Sequence, residues 1–264
     1  MLGAIIGDIS GSRFEFLSTK SKHFAFLSRG EGCRPTDDTI MTLAVAEALL
    51  NCNGDYSDLG RRVVEQMQRF GRAYPDAGYG GRFSRWLLMD DPKPYHSFGN
   101  GSAMRVSPCA YAARSLSEAI QLAQATAEVT HDHPEGIRGA VAVTIAIYKA
   151  LHGSTIDEIE GNIGRNYYSM DFTLDSIRGS YTFDETCQGS VPQAMKAFFE
   201  STSFADAIRN AISLGGDADT QAAIAGSIAG AYYGVPDRIR TEAMTYLDET
   251  LVDVVRRFEE RFLK

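Results

Sequence analysis

Residues 220–234 (TQAAIAGSIAGAYYG) contain no ionisable group except tyrosine. A helix with no polar face is buried on every side, because none of its sides gains by meeting water. Gly226, Gly230 and Gly234 recur every four residues and would share one face, where another backbone can come close. Other elements must therefore surround this segment. They too read as helices, since apolar residues repeat with helical period over residues 39–50, 57–70, 115–129, 135–151, 191–200, 203–213 and 249–262. Alternating stretches bounded by turn residues are scarce. The expected fold is all-α, a compact helical bundle. The 264 residues are 44% apolar, evenly spread and with no Pro- or Ser-rich linker, so residues 1–264 are read as a single domain.

Several function classes are disfavoured by composition. Net charge is −8 with no block of Lys or Arg, which argues against non-specific nucleic-acid binding. No apolar run is long enough for a bilayer, so no membrane partner is expected. Residues 1–9 are apolar but lack a basic flank and are interrupted by Asp8, unlike a signal peptide. Cys33, Cys52, Cys109 and Cys187 are far apart, without the spacing of a zinc site or redox motif. A cytoplasmic protein is expected. Cys187 has no paired base in sequence and reads as a buried spectator.

Two acidic clusters stand out, Thr36-Asp37-Asp38-Thr39 and Asp217-Ala218-Asp219-Thr220. Each lies where a loop enters a helix. Acids there cap free N–H groups and complement the positive helix end, contributing about 0.3–1 kcal/mol each. One cap suffices for one helix end, however, and the second cluster opens the uncharged helix, where unpaired carboxylates are costly to bury. No Lys or Arg lies within either cluster. If the four aspartates converge, two divalent cations would neutralise them, and an all-oxygen donor set suits magnesium or manganese. On chemistry alone, capping and metal binding both stay open. Residues 72–105 and 162–189, rich in glycine, aromatic and polar residues, resist assignment and are expected to wall a cleft.

Six stretches, in order, resemble the ADP-ribosylglycohydrolase family: GAIIGDISGSRFEF from residue 3, TDDTIMTLAVAEALL from 36, GYGGRF from 78, SFGNGSAMRVSPCAYAA from 97, THDHPEGIRGA from 130, and the segment 187–234. The resemblance implies an all-α fold with a binuclear magnesium or manganese centre at the base of a cleft. It implies Thr36, Asp37, Asp38, Asp217, Asp219 and Thr220 as metal ligands. Glu15 would assist catalysis beside Asp38 and Asp217. Gly78, Gly80 and Gly81 would form a loop near the scissile bond, Ser97, Phe98, Gly99, Asn100 and Gly101 would hold the diphosphate and adenine side of ADP-ribose, and His131 would line the cleft. Arg82 departs from members that carry a small residue there, and it would narrow the acceptor side or contact a phosphate if it turns inward.

The residues temper some of these roles. Glu15, between two phenylalanines, would point outward on local grounds alone. Phe98 beside glycines suits stacking on adenine, and the Gly-Asn-Gly run can present N–H groups to a diphosphate. Asp132 is the expected cap of the helix opened by Pro134. His131 is expected to contact ligand, with His133 and Arg105 structural. The implied reaction hydrolyses the bond at C1″ of the distal ribose through an oxocarbenium-like state, with the metals activating water and Asp76 attracting an arginine acceptor. Two other readings are a catalytically silent ADP-ribose-binding or immunity-type module and a metal-dependent nucleotide phosphoesterase.

Overall fold

A computed structural model describes residues 1–263. It holds helices α1 Leu2–Gly11, α2 Asp37–Asn51, α3 Leu59–Ala73, α4 Gly81–Leu87 and α5 Gly101–Met104. The middle of the chain forms α6 Ser107–Ala112, α7 Leu116–Glu128, α8 Pro134–Leu151, α9 Ile156–Asn166 and α10 Leu174–Arg178. The last third forms α11 Cys187–Phe199, α12 Phe204–Ile212, α13 Ala218–Tyr232, α14 Asp237–Met244 and α15 Glu249–Phe262. No strand occurs among the described residues, only an isolated bridge between Gly99 and Thr186. The fold is all-α, and no described helix is long and apolar enough to cross a membrane.

α13 is the central helix, buried from Ala218 to Ala229. Its closest neighbour is α1, a helix of ten wholly buried residues. Cβ atoms added at Gly3, Gly7 and Gly11 would overlap the backbone of Gly226, Ala222 and Asp219, respectively, and one at Gly226 would overlap Gly3. The two backbones thus touch along a seam where only hydrogen fits on the α1 side. Gly234 is not part of it, because α13 ends at Tyr232 and Gly234 lies beyond, at φ 76°. There it supplies the left-handed turn that takes the chain off the helix.

α1 itself carries no helical signature in sequence. Three glycines in ten residues weaken intrinsic helicity by roughly 1 kcal/mol each relative to alanine, so packing on α13 must supply its stability. The other core helices are amphipathic or wholly apolar and follow the expected ranges to within a few residues, apart from α11, which starts earlier, at Cys187.

Candidate active site

The mouths of α2 and α13 meet at the floor of a cavity of about 320 Å³. Carboxylate oxygens of Asp8, Asp38 and Asp219 lie within 4.8 Å of one another, and all three residues are buried. Asp37, Asp217, Glu15 and Glu185 line the same cavity. Among the described residues, no lysine or arginine forms an ion pair with any of these seven acids.

Capping does not explain this concentration. Neither Thr36 nor Asp217, the residues preceding the two helices, caps its own helix through its side chain. The start of α2 is capped from another helix instead. Asp8 Oδ2 accepts from the Thr36 N–H at 2.9 Å, from the Thr39 N–H at 3.1 Å and from the Thr39 hydroxyl, while Oδ1 accepts from the Thr36 hydroxyl at 2.6 Å. Four donors account for how a carboxylate with no cationic partner tolerates full burial. With Asp8 filling that role, Asp37 and Asp38 are released from it. The Thr220 hydroxyl donates to Asp38 Oδ2 at 3.2 Å, and Asp38 Oδ1 is a buried acceptor with no partner. Unpaired buried oxygens of this kind call for a donor or a cation.

Six of these acids, Asp8, Glu15, Asp37, Asp38, Asp217 and Asp219, hold their protons more tightly than usual. Burial pushes Glu15 up to about 7, aided by the charge of Asp217 and opposed by Arg34. Burial and the charges of Asp8, Asp217 and Glu15 push Asp37 up to about 8. Asp38 and Asp219 lie well above the ordinary carboxylate range, through burial and then neighbouring carboxylates. Asp8 and Asp217 are raised chiefly by burial, against the hydrogen bonds each accepts. The folded protein thus binds protons that the unfolded chain has released above about pH 4. With more protons in the native state, stability falls as pH rises from about 4 to 8. The cation-free protein should melt at a lower temperature at pH 8 than at pH 5.5, and a saturating divalent cation should flatten that difference. Melting curves in chelator and in MnCl2 at both pH values check this.

A second group of residues lines the cavity: Arg82, Tyr95, His131 and Arg105. Arg82 Nη2 donates to the Tyr95 carbonyl at 2.7 Å, and its guanidinium lies 4.8 Å from the Tyr95 ring. His131 is buried and packs beside Tyr95 with ring centroids 6.1 Å apart. Burial, then the charge of Arg105, holds the His131 ring well below its usual range, so it is neutral at pH 7. The lining therefore separates into an acidic group and a basic-aromatic group, joined by the 97–101 loop.

That loop is pinned from behind. The Cys187 N–H donates to the Phe98 carbonyl at 2.9 Å, and Cys187 Sγ to the Gly99 carbonyl at 3.1 Å. The Asn100 N–H donates to the Glu185 carbonyl at 2.8 Å, and the Gly99 N–H to Ser97 Oγ at 3.2 Å. These two N–H groups are spent within the protein and are not free for the anion nest expected of residues 99–102. The Asn100 side chain donates to Asp217 Oδ2 at 2.7 Å and to Ser190 at 3.1 Å, so it orients an acid of the cluster.

The ADP-ribosylglycohydrolase family pattern matches residues 1–264, the whole chain. The chain belongs to the ADP-ribosylglycohydrolase family. Its members hydrolyse ADP-ribose from modified acceptors, and this chain is one of those enzymes. It is similar to ADP-ribosylhydrolase ARH3 of Homo sapiens, 27% identical over 89% of this chain and 84% of that protein. ADP-ribosylarginine hydrolase Tri1 of Pseudomonas putida is 29% identical, covering 89% of this chain and 70% of its own length. ADP-ribosyl-[dinitrogen reductase] glycohydrolase of Rhodospirillum rubrum is 26% identical over 97% of this chain and 91% of its length. A solved structure titled ADP-ribosylglycohydrolase-related protein complex superposes with a TM-score of 0.67 at 24% identity, covering 97% of each chain. That match supports the fold.

Within this ADP-ribosylglycohydrolase, Glu15, Asp37, Asp38, Asp217, Asp219 and Thr220 line the cavity with Gly78, Gly80, Gly81, Ser97, Gly99, Asn100, Gly101 and His131. Three expected residues, Thr36, Phe98 and Asp76, lie outside this lining. Thr36 is outside the lining, its hydroxyl turned onto Asp8. Phe98 is also outside it, half-exposed against His133 at 5.3 Å between ring centroids, because its carbonyl is anchored by Cys187. Asp76 lies in a separate surface groove beside Tyr74 and Tyr246. Asp132 does not cap α8. His133 does so, its Nδ1 accepting from the Glu135 N–H at 3.1 Å, while Asp132 accepts from the His96 N–H at 2.7 Å. Six cavity residues, Phe83, Tyr95, Met104, Arg105, Phe183 and Glu185, were not expected as site residues. Asp8 was also missed, although a lone acid inside an apolar segment was its visible signal.

Proposed function

We propose that this glycohydrolase binds two divalent cations, magnesium or manganese, and hydrolyses the C1″ bond between ADP-ribose and a cationic acceptor of the arginine type. The observation that carries the metal reading is the buried meeting of Asp8, Asp38 and Asp219 with the unpaired Asp38 Oδ1. The donors are carboxylate and hydroxyl oxygens, the set preferred by hard cations. Asp37, Asp38, Asp217, Asp219 and Thr220 would hold the ions. Thr36 would join them through a hydroxyl lone pair, since its proton is given to Asp8. When bound, the cations polarise oxygen ligands and lower the pKa of water.

The chain's own groups supply the rest. Asn100 fixes the orientation of Asp217. Glu15, with its pKa pushed up to about 7, is poised to give a proton to a leaving group or take one from water near neutral pH. The acids stabilise positive charge developing on the ribose. Gly78, Gly80 and Gly81 leave room beside Asp37, while Ser97, Gly99, Gly101 and His131 bound the side assigned to the diphosphate. Phe98 would reach adenine only at the cavity rim.

The arginine-type acceptor is favoured by Glu185 and Glu15, which add negative charge around Asp217 where a guanidinium would leave. The named activity of the Pseudomonas putida relative agrees with it. A panel of ADP-ribosylated arginine, ADP-ribosylated serine and O-acetyl-ADP-ribose, assayed with magnesium and with manganese, is expected to release free ADP-ribose fastest from arginine. Phosphate release in place of ADP-ribose would sink the reading. His131→Ala should weaken ADP-ribose binding about tenfold, the worth of one hydrogen bond, and leave metal content unchanged. Calorimetry with ADP-ribose and elemental analysis of the same sample separate these two effects.

A further inference from the structure

Arg105 is a fully buried guanidinium, 1% exposed, with no carboxylate partner. Its Nη2 donates to Thr130 Oγ1 at 2.7 Å and to the Thr126 carbonyl at 3.2 Å, and its Nε has no partner at all. A buried, unpaired cation is expensive, which implies a task beyond packing. The next link is short. Thr130 Oγ1, itself buried, lies 2.7 Å from His131 Nδ1.

Proton counting fixes the direction of this chain. A guanidinium only donates, so Arg105 occupies a lone pair of the Thr130 hydroxyl. That hydroxyl keeps one proton, and its other neighbour is Nδ1. The second lone pair could take a proton from Nδ1, but the hydroxyl's own buried proton would then have no acceptor. Nδ1 therefore accepts, and the single proton of a neutral imidazole sits on Nε2. Nε2 faces the loop: Cβ atoms built on Gly101 and Gly99 would lie 3.3 and 3.7 Å from it. Both positions are glycine, so the N–H is left uncovered towards the cavity that His131 lines.

We propose that Arg105 is a positioning residue which, through Thr130, holds His131 as an Nε2–H donor for an oxygen of the bound ADP-ribose diphosphate. The tautomer follows from the ligand-free geometry alone, whereas the ligand assignment rests on the function proposed above. Arg105 contributes in two ways. Its bond to Thr130 sets which ring nitrogen carries the proton, and its positive charge adds to burial in keeping the ring from taking a second one. The donor is thus prepared before ligand arrives, which avoids the cost of reorganising it on binding.

The test uses the whole protein labelled with 15N-histidine, the His131 signals being those lost in His131→Gln. The ring nitrogens of the ligand-free parent at pH 7 are expected to report a proton on Nε2. A proton on Nδ1 would overturn the proposal without touching the function. Thr130→Val should populate both tautomers and weaken ADP-ribose binding about tenfold, while Thr130→Ser keeps the parental tautomer and affinity. Should Thr130→Val fail to fold, the parent and Thr130→Ser spectra still decide the tautomer. Parental affinity and tautomer in a folded Thr130→Val would overturn the relay. An Nε2–H ring in a parent that does not bind ADP-ribose would overturn the ligand assignment instead.

Discussion

Asp38→Asn should lose bound divalent cation and at least roughly a hundredfold of turnover, yet melt at a higher temperature than the parent in chelator. The loss follows from the position of Asp38 between Asp8 and Asp219. Changes to groups that merely support a metal's ligands cost about 10–100-fold in affinity or activity, and Asp38 offers the ion an oxygen directly. The gain in stability has the same origin. Asp38 is buried among like charges, and in the absence of a cation each ionised neighbour disfavours the folded state. Asparagine keeps the shape and an oxygen for the Thr220 hydroxyl while removing one charge. Elemental analysis, ADP-ribose release and melting curves on one preparation check all three effects. Parental turnover with parental metal content would end the case for a metal-dependent hydrolase. A lower melting temperature in chelator would mean that the Thr220 hydroxyl bonds a carboxylate more strongly than an amide by more than the charge repulsion relieved.

The second large effect is on folding. Gly7→Ala places a methyl group into the Ala222–Ala223 backbone of α13, where no side chain can swing aside. Overpacking costs about 1–3 kcal/mol when neighbours are flexible side chains and more when they are not. A loss of about 3 kcal/mol or more is a large share of the 5–15 kcal/mol that stabilises a typical domain. Gly60→Ala is the control, since its Cβ would meet only Val129, at 3.9 Å. Urea titrations of the two variants should differ by most of that amount. Equal midpoints would show that α1 and α13 are free to separate. Because Asp8 follows Gly7, the clashing variant should also bind cations more weakly under conditions where it remains folded.

This pair of residues shows where the sequence was legible and where it was not. α13 announces itself because it is long, apolar and free of charge, and α2 and α8 because their apolar runs exceed any strand. α1 is hidden, since its glycines and shortness argue against a helix and only its neighbour makes it one. The short helices α5 and α6 fall within one or two turns, too few for periodicity to register. At the site, Asp37, Asp38, Asp217 and Asp219 were readable as paired acids opening strongly apolar helices. Asp8 was not, because its partners are donors far along the chain. Phe98 and Asn100 were placed in the right loop, but their directions depend on hydrogen bonds to residues 185–187 and to Asp217. Phe183 and Glu185 lie in the 162–189 stretch expected to wall a cleft, but without periodicity nothing local showed which of its residues would face the cavity.

The glycine seam also governs when activity can first arise. Asp8 and Asp219 are 211 residues apart, and docking of α1 on α13 is what brings them together. Contacts so distant along the chain form late in folding. A polypeptide without α13, or a fragment cut between these helices, does not bring these acids together.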